Sequence, residues 1–239
     1  MMQQNKWHEV WEKRKENLEQ IDTNDYQAVF AELKRINGFD INGEGIPLSA
    51  LLKQYEDTRK KINVSQGKTL FEVGCGCGAN LYMFQRDGII VGGMDYSQTL
   101  IKILQQVISE NTLRECICGE VITMPTEIKY DAILSNSVFS YFPDFAYAEE
   151  VLEKIFIKAR HSIALLDVHD AEKKDEFIAY RQKNTENYEE RYKDLPKLFY
   201  PQKLFQNFAA KHNLRIEFCS SKVEGYWNND FIYNVYMYK

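Results

Sequence analysis

The stretch Thr69 to Asn80, Thr-Leu-Phe-Glu-Val-Gly-Cys-Gly-Cys-Gly-Ala-Asn, constrains this 239-residue chain more than any other. Thr69 to Val73 is apolar and β-favouring apart from Glu72, and reads as a short buried strand. Gly74, Gly76 and Gly78 follow at every second position, and a helix begins near Ala79. Glycine takes positive φ and, lacking Cβ, lets a ligand lie directly on the backbone. The helix turns its free N–H groups toward that ligand. Such a unit holds a small polar molecule at the C-terminal end of a strand, where open α/β sheets bind ligands.

A second apolar strand, Ile89 to Met94, ends in Asp95. An acid about 20 residues past the first glycine is placed to take both ribose hydroxyls of a nucleoside, which fits a dinucleotide or S-adenosylmethionine (SAM). Two details favour SAM. The glycines are spaced Gly-x-Gly-x-Gly rather than Gly-x-Gly-x-x-Gly, and Glu72 stands two residues ahead of them. A carboxylate there suits the methionine ammonium and would repel a pyrophosphate. The run from Glu72 to Gly78 resembles the first motif of the class I SAM-dependent methyltransferases, acid-x-Gly-x-Gly-x-Gly.

That resemblance implies a Rossmann-like α/β fold. Its sheet has seven strands, mostly parallel with the last antiparallel, and helices on both faces. It also implies a cofactor set. Glu72, Gly74, Gly76 and Gly78 would serve the methionine end, and Asp95, Tyr96 and Ser97 the ribose end. Glu120 and Val121 would read the adenine, with Glu120 in place of the usual aspartate. Asn136 and Ser137 would lie against the methionine part and the acceptor. The product would be S-adenosylhomocysteine. An NAD(P)-dependent oxidoreductase and a non-catalytic SAM-binding protein stay open as alternatives.

Composition narrows the class. Apolar residues make up 44% and aromatic residues 13%, which argues for a folded globule. The net charge of −5 provides no global basic field to collect nucleic acid. No apolar run reaches the ~18 residues of a membrane span, and the opening residues lack the apolar core of a signal peptide. The expected location is the cytoplasm. Five cysteines, with Cys-x-Cys pairs at 75/77 and 116/118, form neither a disulfide framework nor a usual zinc spacing, so no metal is expected.

Residues 1–62 read as a helical cap ahead of a SAM-binding domain at 63–239. Trp7, Val10 and Trp11 make an apolar stripe followed by Lys13-Arg14-Lys15. Asp25 caps a helix bearing Val29, Phe30, Leu33 and Ile36, and Gly38 stops it. A loop at 38–47 precedes a third helix with Leu48, Leu51, Leu52 and Tyr55. Beyond Asp95, Ser97 caps a helix, Arg114 to Cys118 and Tyr130 to Ser135 are strands, and Tyr147 to Ala159 is an amphipathic helix. Ser162 to Val168 is a strand buried on both faces. Residues 171–200 form a polar, Tyr-rich insert with a helix from Ala171 to Asn187, too polar for core and suited to a mobile lid. A helix starts at Pro201, and Leu214 to Ser220 pairs with Phe231 to Tyr238 at the end of the chain.

Methyl transfer asks for an aligned acceptor in a site that excludes water, and an oxygen acceptor benefits from a base. His169, just past the fifth strand, is the best-placed base. Asp167, two residues earlier and so on the same face of an extended chain, would orient its ring. Tyr141 is a weaker candidate. The loop Asn136 to Asp144 lacks the Asn/Asp-Pro-Pro-aromatic and Pro-Cys motifs of nucleic-acid methyltransferases. Further stretches are Trp-His-Glu-Val-Trp-Glu-Lys-Arg at 7–14, Asn-Gly-Phe-Asp at 37–40, Ser-Val-Phe-Ser-Tyr-Phe-Pro-Asp at 137–144 and Leu-Phe-Tyr at 198–200. They are similar to small methyltransferases of bacterial capsule and surface-polysaccharide gene clusters. This similarity implies O- or N-methylation of a small-molecule or carbohydrate-type acceptor, with no nucleic acid or membrane partner.

Overall fold

The computed structural model describes residues 6–14, 23–41 and 45–239. Lys15 of the basic cluster and residues 42–44 of the expected loop lie outside them. Three helices come first: α1 (Trp7–Glu12), α2 (Tyr26–Ile36) and α3 (Leu48–Lys61). The side chain of Asp25 accepts hydrogen bonds from the Gln27 and Ala28 N–H groups, which fixes the start of α2.

The sheet follows, with β1 (Thr69–Val73), α4 (Ala79–Arg86), β2 (Ile90–Asp95), α5 (Gln98–Val107), β3 (Leu113–Cys118), β4 (Tyr130–Asn136), α6 (Phe145–Lys158) and β5 (Ala159–His169). An insert carrying α7 (Lys174–Asn184) and α8 (Tyr188–Tyr192) precedes α9 (Gln202–Lys211), β6 (Arg215–Ser220) and β7 (Ile232–Tyr238). The strands lie in the order β3-β2-β1-β4-β5-β7-β6, with β7 alone antiparallel to its neighbours. The order reverses between β1 and β4, and the crevice at their C-terminal ends is where such sheets bind ligands.

Alternation along the strands divides the core. Leu70, Val91, Ala132, Leu134 and Leu166 face α2, α3, α4 and α5. Phe71, Val73, Met94, Ile133 and Leu165 face α6 and α9. Phe30, Leu33, Ile36 and Leu51 belong to the first of these cores, so α2 and α3 share the domain's interior.

Two expectations need correcting. The fifth strand extends through His169, and its pairing with β7 is irregular between Leu165 and Val168. Asp167 sits in that bulge at φ 56. In the insert, the helix expected from Ala171 to Asn187 runs only from Lys174 to Asn184, and a second helix, α8, follows the left-handed Asn187 (φ 51) inside the expected loop. The insert is also not wholly polar. Phe177 and Phe199 are buried and pack with Phe231 in a small cluster of their own.

Candidate active site

Backbone contacts first shape the turn after β1. The N–H groups of Gly74 and Cys75 donate to the Met94 carbonyl at 2.9 and 3.0 Å. Asp95 holds the turn from the other side. Its Oδ2 accepts from the Gly76 N–H and its Oδ1 from the Ser97 N–H, both at 2.9 Å. Gly74 and Gly76 have φ 69 and 54. A Cβ on Gly74 would come within 2.4 Å of Val138 Cγ2, and one on Gly76 within 2.3 Å of Asn37 Oδ1. These glycines therefore admit side chains from the β4 loop and from α2 as well as a ligand. Asn37 Oδ1 uses that room to accept from the Cys77 N–H at 3.0 Å.

Glu72 is buried beneath the turn. Its Oε1 accepts from Asn80 Nδ2 at 2.6 Å, while Oε2 has no hydrogen-bond partner. The Lys34 ammonium donates to Asn80 Oδ1 at 2.9 Å, which links the two charges through one amide. Burial pushes the Glu72 carboxyl up and the Lys34 amine down, and each charge partly offsets the shift of the other. At the opposite end, Glu120 accepts from Tyr147 OH at 3.0 Å and pairs with His8 Nε2 at 2.8 Å. The His8 ring stacks on Tyr96 with centroids 4.0 Å apart. Glu12 of α1 accepts from the Gln98 N–H and the Thr99 hydroxyl, tying that helix to the start of α5.

The ends of β4 and β5 form the third side. Ser137, at φ 60, donates through Oγ to Asp167 Oδ2 at 2.7 Å. Asp167 Oδ1 is buried, makes no well-formed hydrogen bond and has the Tyr226 hydroxyl as its neighbour. Burial raises the Asp167 carboxyl, and the Ser137 hydroxyl and Lys34 pull it back. The expected Asp167–His169 pair is not formed, because the bulge at Asp167 breaks the period of two that would place both on one face. His169 Nε2 instead meets Asn228 Nδ2 at 3.3 Å, and Nδ1 has no partner. The rings of Phe177 and Phe199 lie 5.0 and 5.1 Å from the imidazole. Burial therefore holds it neutral, well below the usual histidine range. Tyr141 makes edge contacts with Trp7 and Trp11 at 4.8 and 5.8 Å, and burial first of all pushes its phenol up to about 12.

All three sides open on one cavity of about 1880 Å³. A pocket for one ligand measures roughly 300–1,000 Å³, so this one has room for a donor and an acceptor together. Its wall includes Glu72, Gly74, Gly76, Asp95, Tyr96, Glu120, Val121, Asn136, Ser137, Tyr141, Asp167 and His169. Gly78 and Ser97 stand behind it. Gly78 turns left-handed at φ 83 to start α4, and Ser97 accepts from the Leu100 N–H to cap α5. Among the described residues, no group of three or more His, Cys, Asp or Glu side chains is placed to hold a metal.

Residues 71–162 match the family model of a methyltransferase domain. They form the methyltransferase domain of a SAM-dependent enzyme. The oxidoreductase alternative is set aside, since this domain spans the cofactor turn and a buried carboxylate at 72 stands where a dinucleotide would bring its pyrophosphate.

No curated protein matches the methyltransferase in sequence. Among solved structures it is similar to magnesium protoporphyrin IX methyltransferase from Synechocystis PCC 6803 with bound S-adenosylhomocysteine, at 11% identity and TM-score 0.61 over 80% of this chain and 84% of that one. The plantazolicin methyltransferase BpumL, also in complex with S-adenosylhomocysteine, gives 15% identity and TM-score 0.57 over 80% and 81%. A small-RNA methyltransferase gives 16% and 0.58 over 79% of this chain and 25% of that one. At these identities the likeness is one of fold.

The chain's own residues fit the donor. Glu72 Oε2 is an orphaned buried acceptor on the cavity wall, suited to an ammonium. Lys34, across Asn80 from it, is suited to the methionine carboxylate. Asp95 keeps further lone pairs for ribose hydroxyls after serving two N–H groups. Sequence reasoning missed Lys34, Asn37, Lys197 and Asn228. Only Lys34 carried a signal, as a lysine set beside Phe30, Leu33 and Ile36 on the apolar stripe of α2.

Proposed function

We propose that the methyltransferase acts on an oxygen, or a nitrogen, of a small-molecule or carbohydrate-type acceptor. The observation that carries this reading is the single cavity with two differently furnished ends. One end has the glycine turn, Glu72, Asp95 and Glu120. The other has Tyr141, Asp167, His169 and an aromatic wall of Trp7, Tyr226 and Trp227. Aromatic faces with a few fixed polar groups suit the apolar faces and hydroxyls of a sugar ring.

When bound, SAM supplies a methyl group already activated by its sulfonium. The chain's task is then to hold and deprotonate the acceptor in a dry site. Asp167 is our candidate for the base. One oxygen is fixed by Ser137, the other faces only the Tyr226 hydroxyl, and burial keeps its basicity above that of an ordinary carboxylate. His169, held neutral, would contact the acceptor through Nδ1. Tyr141, held protonated, would donate a hydrogen bond.

In this reading residues 1–62 cap the domain at 63–239, with Lys34, Asn37 and Trp7 reaching the cavity. The insert at 171–200 serves as its lid. No helix among the described residues is long and apolar enough to cross a membrane. The acidic balance supports an acceptor other than nucleic acid, and the similarity of the stretches at 7–14, 37–40, 137–144 and 198–200 supports a capsule or surface-polysaccharide precursor, methylated in the cytoplasm. Incubation with labelled SAM and a panel of nucleotide sugars and capsule fragments, read by mass spectrometry, tests this. A labelled sugar supports the reading. Label only in RNA or protein overturns it, and donor binding without transfer to any acceptor favours a non-catalytic role.

A further inference from the structure

The acceptor end of the cavity carries more positive charge than its own carboxylates explain. Lys197, from the end of the insert, points its ammonium over the Tyr141 ring at 4.3 Å and the Trp7 ring at 5.3 Å. Its hydrogen bond to Ser140 Oγ is long, at 3.4 Å. Arg181 of α7 lies over Trp227 and Tyr192, with its Cζ 4.9 and 5.0 Å from the ring centroids, and donates to Tyr192 OH at 2.7 Å. Arg14 rests on Trp11 at 4.8 Å, and its Nε is buried without a hydrogen-bond partner.

These cations converge. The Tyr141 phenol feels both Arg14 and Arg181, and His169 feels both Lys197 and Arg181. Asp167 attracts Lys197 and also accepts from Ser137, and Glu189 accepts from Gln182 at 3.1 Å. Lys34 is served separately by Asn80 and Glu72. Burial and the like charge of Arg181 pull the Lys197 amine down to about 7. All three cations are half-buried, rest on aromatic rings and make no salt bridge among the described residues, so the cluster has room for an anion.

We propose that the acceptor is itself an anion, carrying a phosphate or a carboxylate that Lys197, Arg181 and Arg14 recognise beside Tyr141. The inference rests on the small-acceptor reading above and narrows it to charged sugars or sugar phosphates. Arginine matches either group with two parallel donors, and lysine adds a point charge.

The test is calorimetric titration of the S-adenosylhomocysteine-loaded protein at constant ionic strength with pyrophosphate, glucuronate and uncharged glucose. At least one anion should bind ten-fold or more tightly than glucose, and the arm that responds identifies the group. Lys197→Met and Arg181→Gln should each cost that anion ten-fold or more while S-adenosylhomocysteine affinity stays within two-fold. Anions that bind no better than glucose, or that bind both variants unchanged, overturn the proposal and leave the methyltransferase reading standing. Failure of S-adenosylhomocysteine itself to bind removes both.

Discussion

Ser137 Oγ and Asp167 Oδ2 meet at 2.7 Å, and both residues hold left-handed backbone, with φ 60 and 56. Neither is a glycine, and each such conformation costs roughly 1–3 kcal/mol. Two strained residues at the ends of neighbouring strands, joined by a hydrogen bond on the wall of the cavity, are a local sign of a working site. The strain aims a serine and a carboxylate at one point.

Asp167→Asn keeps this shape and removes the charge. Turnover should fall by about 10²–10⁴-fold, the usual share of a general base, with S-adenosylhomocysteine affinity nearly unchanged. The rate should rise with pH through a limb above the ordinary carboxylate range, because burial raises Asp167. Ser137→Ala removes a hydrogen bond that favours the charged form, so this limb should move to higher pH. A pH–rate profile of the three proteins checks it, and an unmoved limb assigns the base elsewhere.

His169→Ala should lower turnover while leaving cofactor affinity intact, since the ring faces Asn228 and two phenylalanines rather than the glycine turn. A fully active variant would show that the imidazole neither contacts nor aligns the acceptor.

Asp95→Ala should weaken S-adenosylhomocysteine binding by more than ten-fold. Charge-assisted hydrogen bonds to ribose are worth about 1.5–3 kcal/mol each, and Asp95 also anchors the Gly76 and Ser97 N–H groups. Calorimetry measures the loss, and unchanged affinity removes Asp95 from the ribose role.

Gly76→Ala should disorder the contact between α2 and the turn, because its Cβ falls 2.3 Å from Asn37 Oδ1 at φ 54. Adding Asn37→Gly should recover part of the lost cofactor affinity by relieving the clash, but not the part due to positive φ. Equal affinities for the single and double variants would show that Asn37 does not crowd this position.

Lys197 makes a prediction about stability. Its amine titrates near 7 when folded against an ordinary 10.5. With the folded value lowered, the cost of charging it is absent above the unfolded value. That cost grows as pH falls toward the folded value and is complete below it. Ligand-free Lys197→Met should therefore melt higher than the parent at pH 6, with the gap shrinking toward pH 10. At about 2–4 °C per kcal/mol for a chain of this size, differential scanning calorimetry resolves it. A gap independent of pH would mean that the amine is well solvated.

What could be read from the sequence was what short segments decide alone. Thr69–Val73 carries its own strand pattern, and Asp25 and Ser97 cap their helices through neighbours two or three residues away. The turn glycines and Asp95 were legible because their spacing follows from one strand–turn–helix unit. The place of Lys34 on an apolar stripe was legible but its role was not, because its partner Asn80 lies 46 residues away. The Asp167–His169 pairing failed for a related reason. A period of two holds for a regular strand, and the irregular pairing with β7 that displaces Asp167 leaves no mark in the residues themselves. Lys197 looked like one charge among many in a polar insert, and only packing against Trp7 and Tyr141 sets it apart.

The insert leaves and rejoins the sheet at a single point. Asp170 bridges to Tyr200, the Tyr200 N–H donates to the His169 carbonyl at 2.7 Å, and the Ala171 N–H donates to the Tyr200 carbonyl at 3.1 Å. With its two feet fastened side by side, the excursion between them behaves as an interchangeable cassette. Its length can vary while every strand keeps its neighbour, provided Phe177 and Phe199 still pack on Phe231. Since it brings Lys197 and Arg181 to the acceptor but nothing to the donor turn, exchanging it should retune which molecule is methylated and spare the machinery that supplies the methyl group.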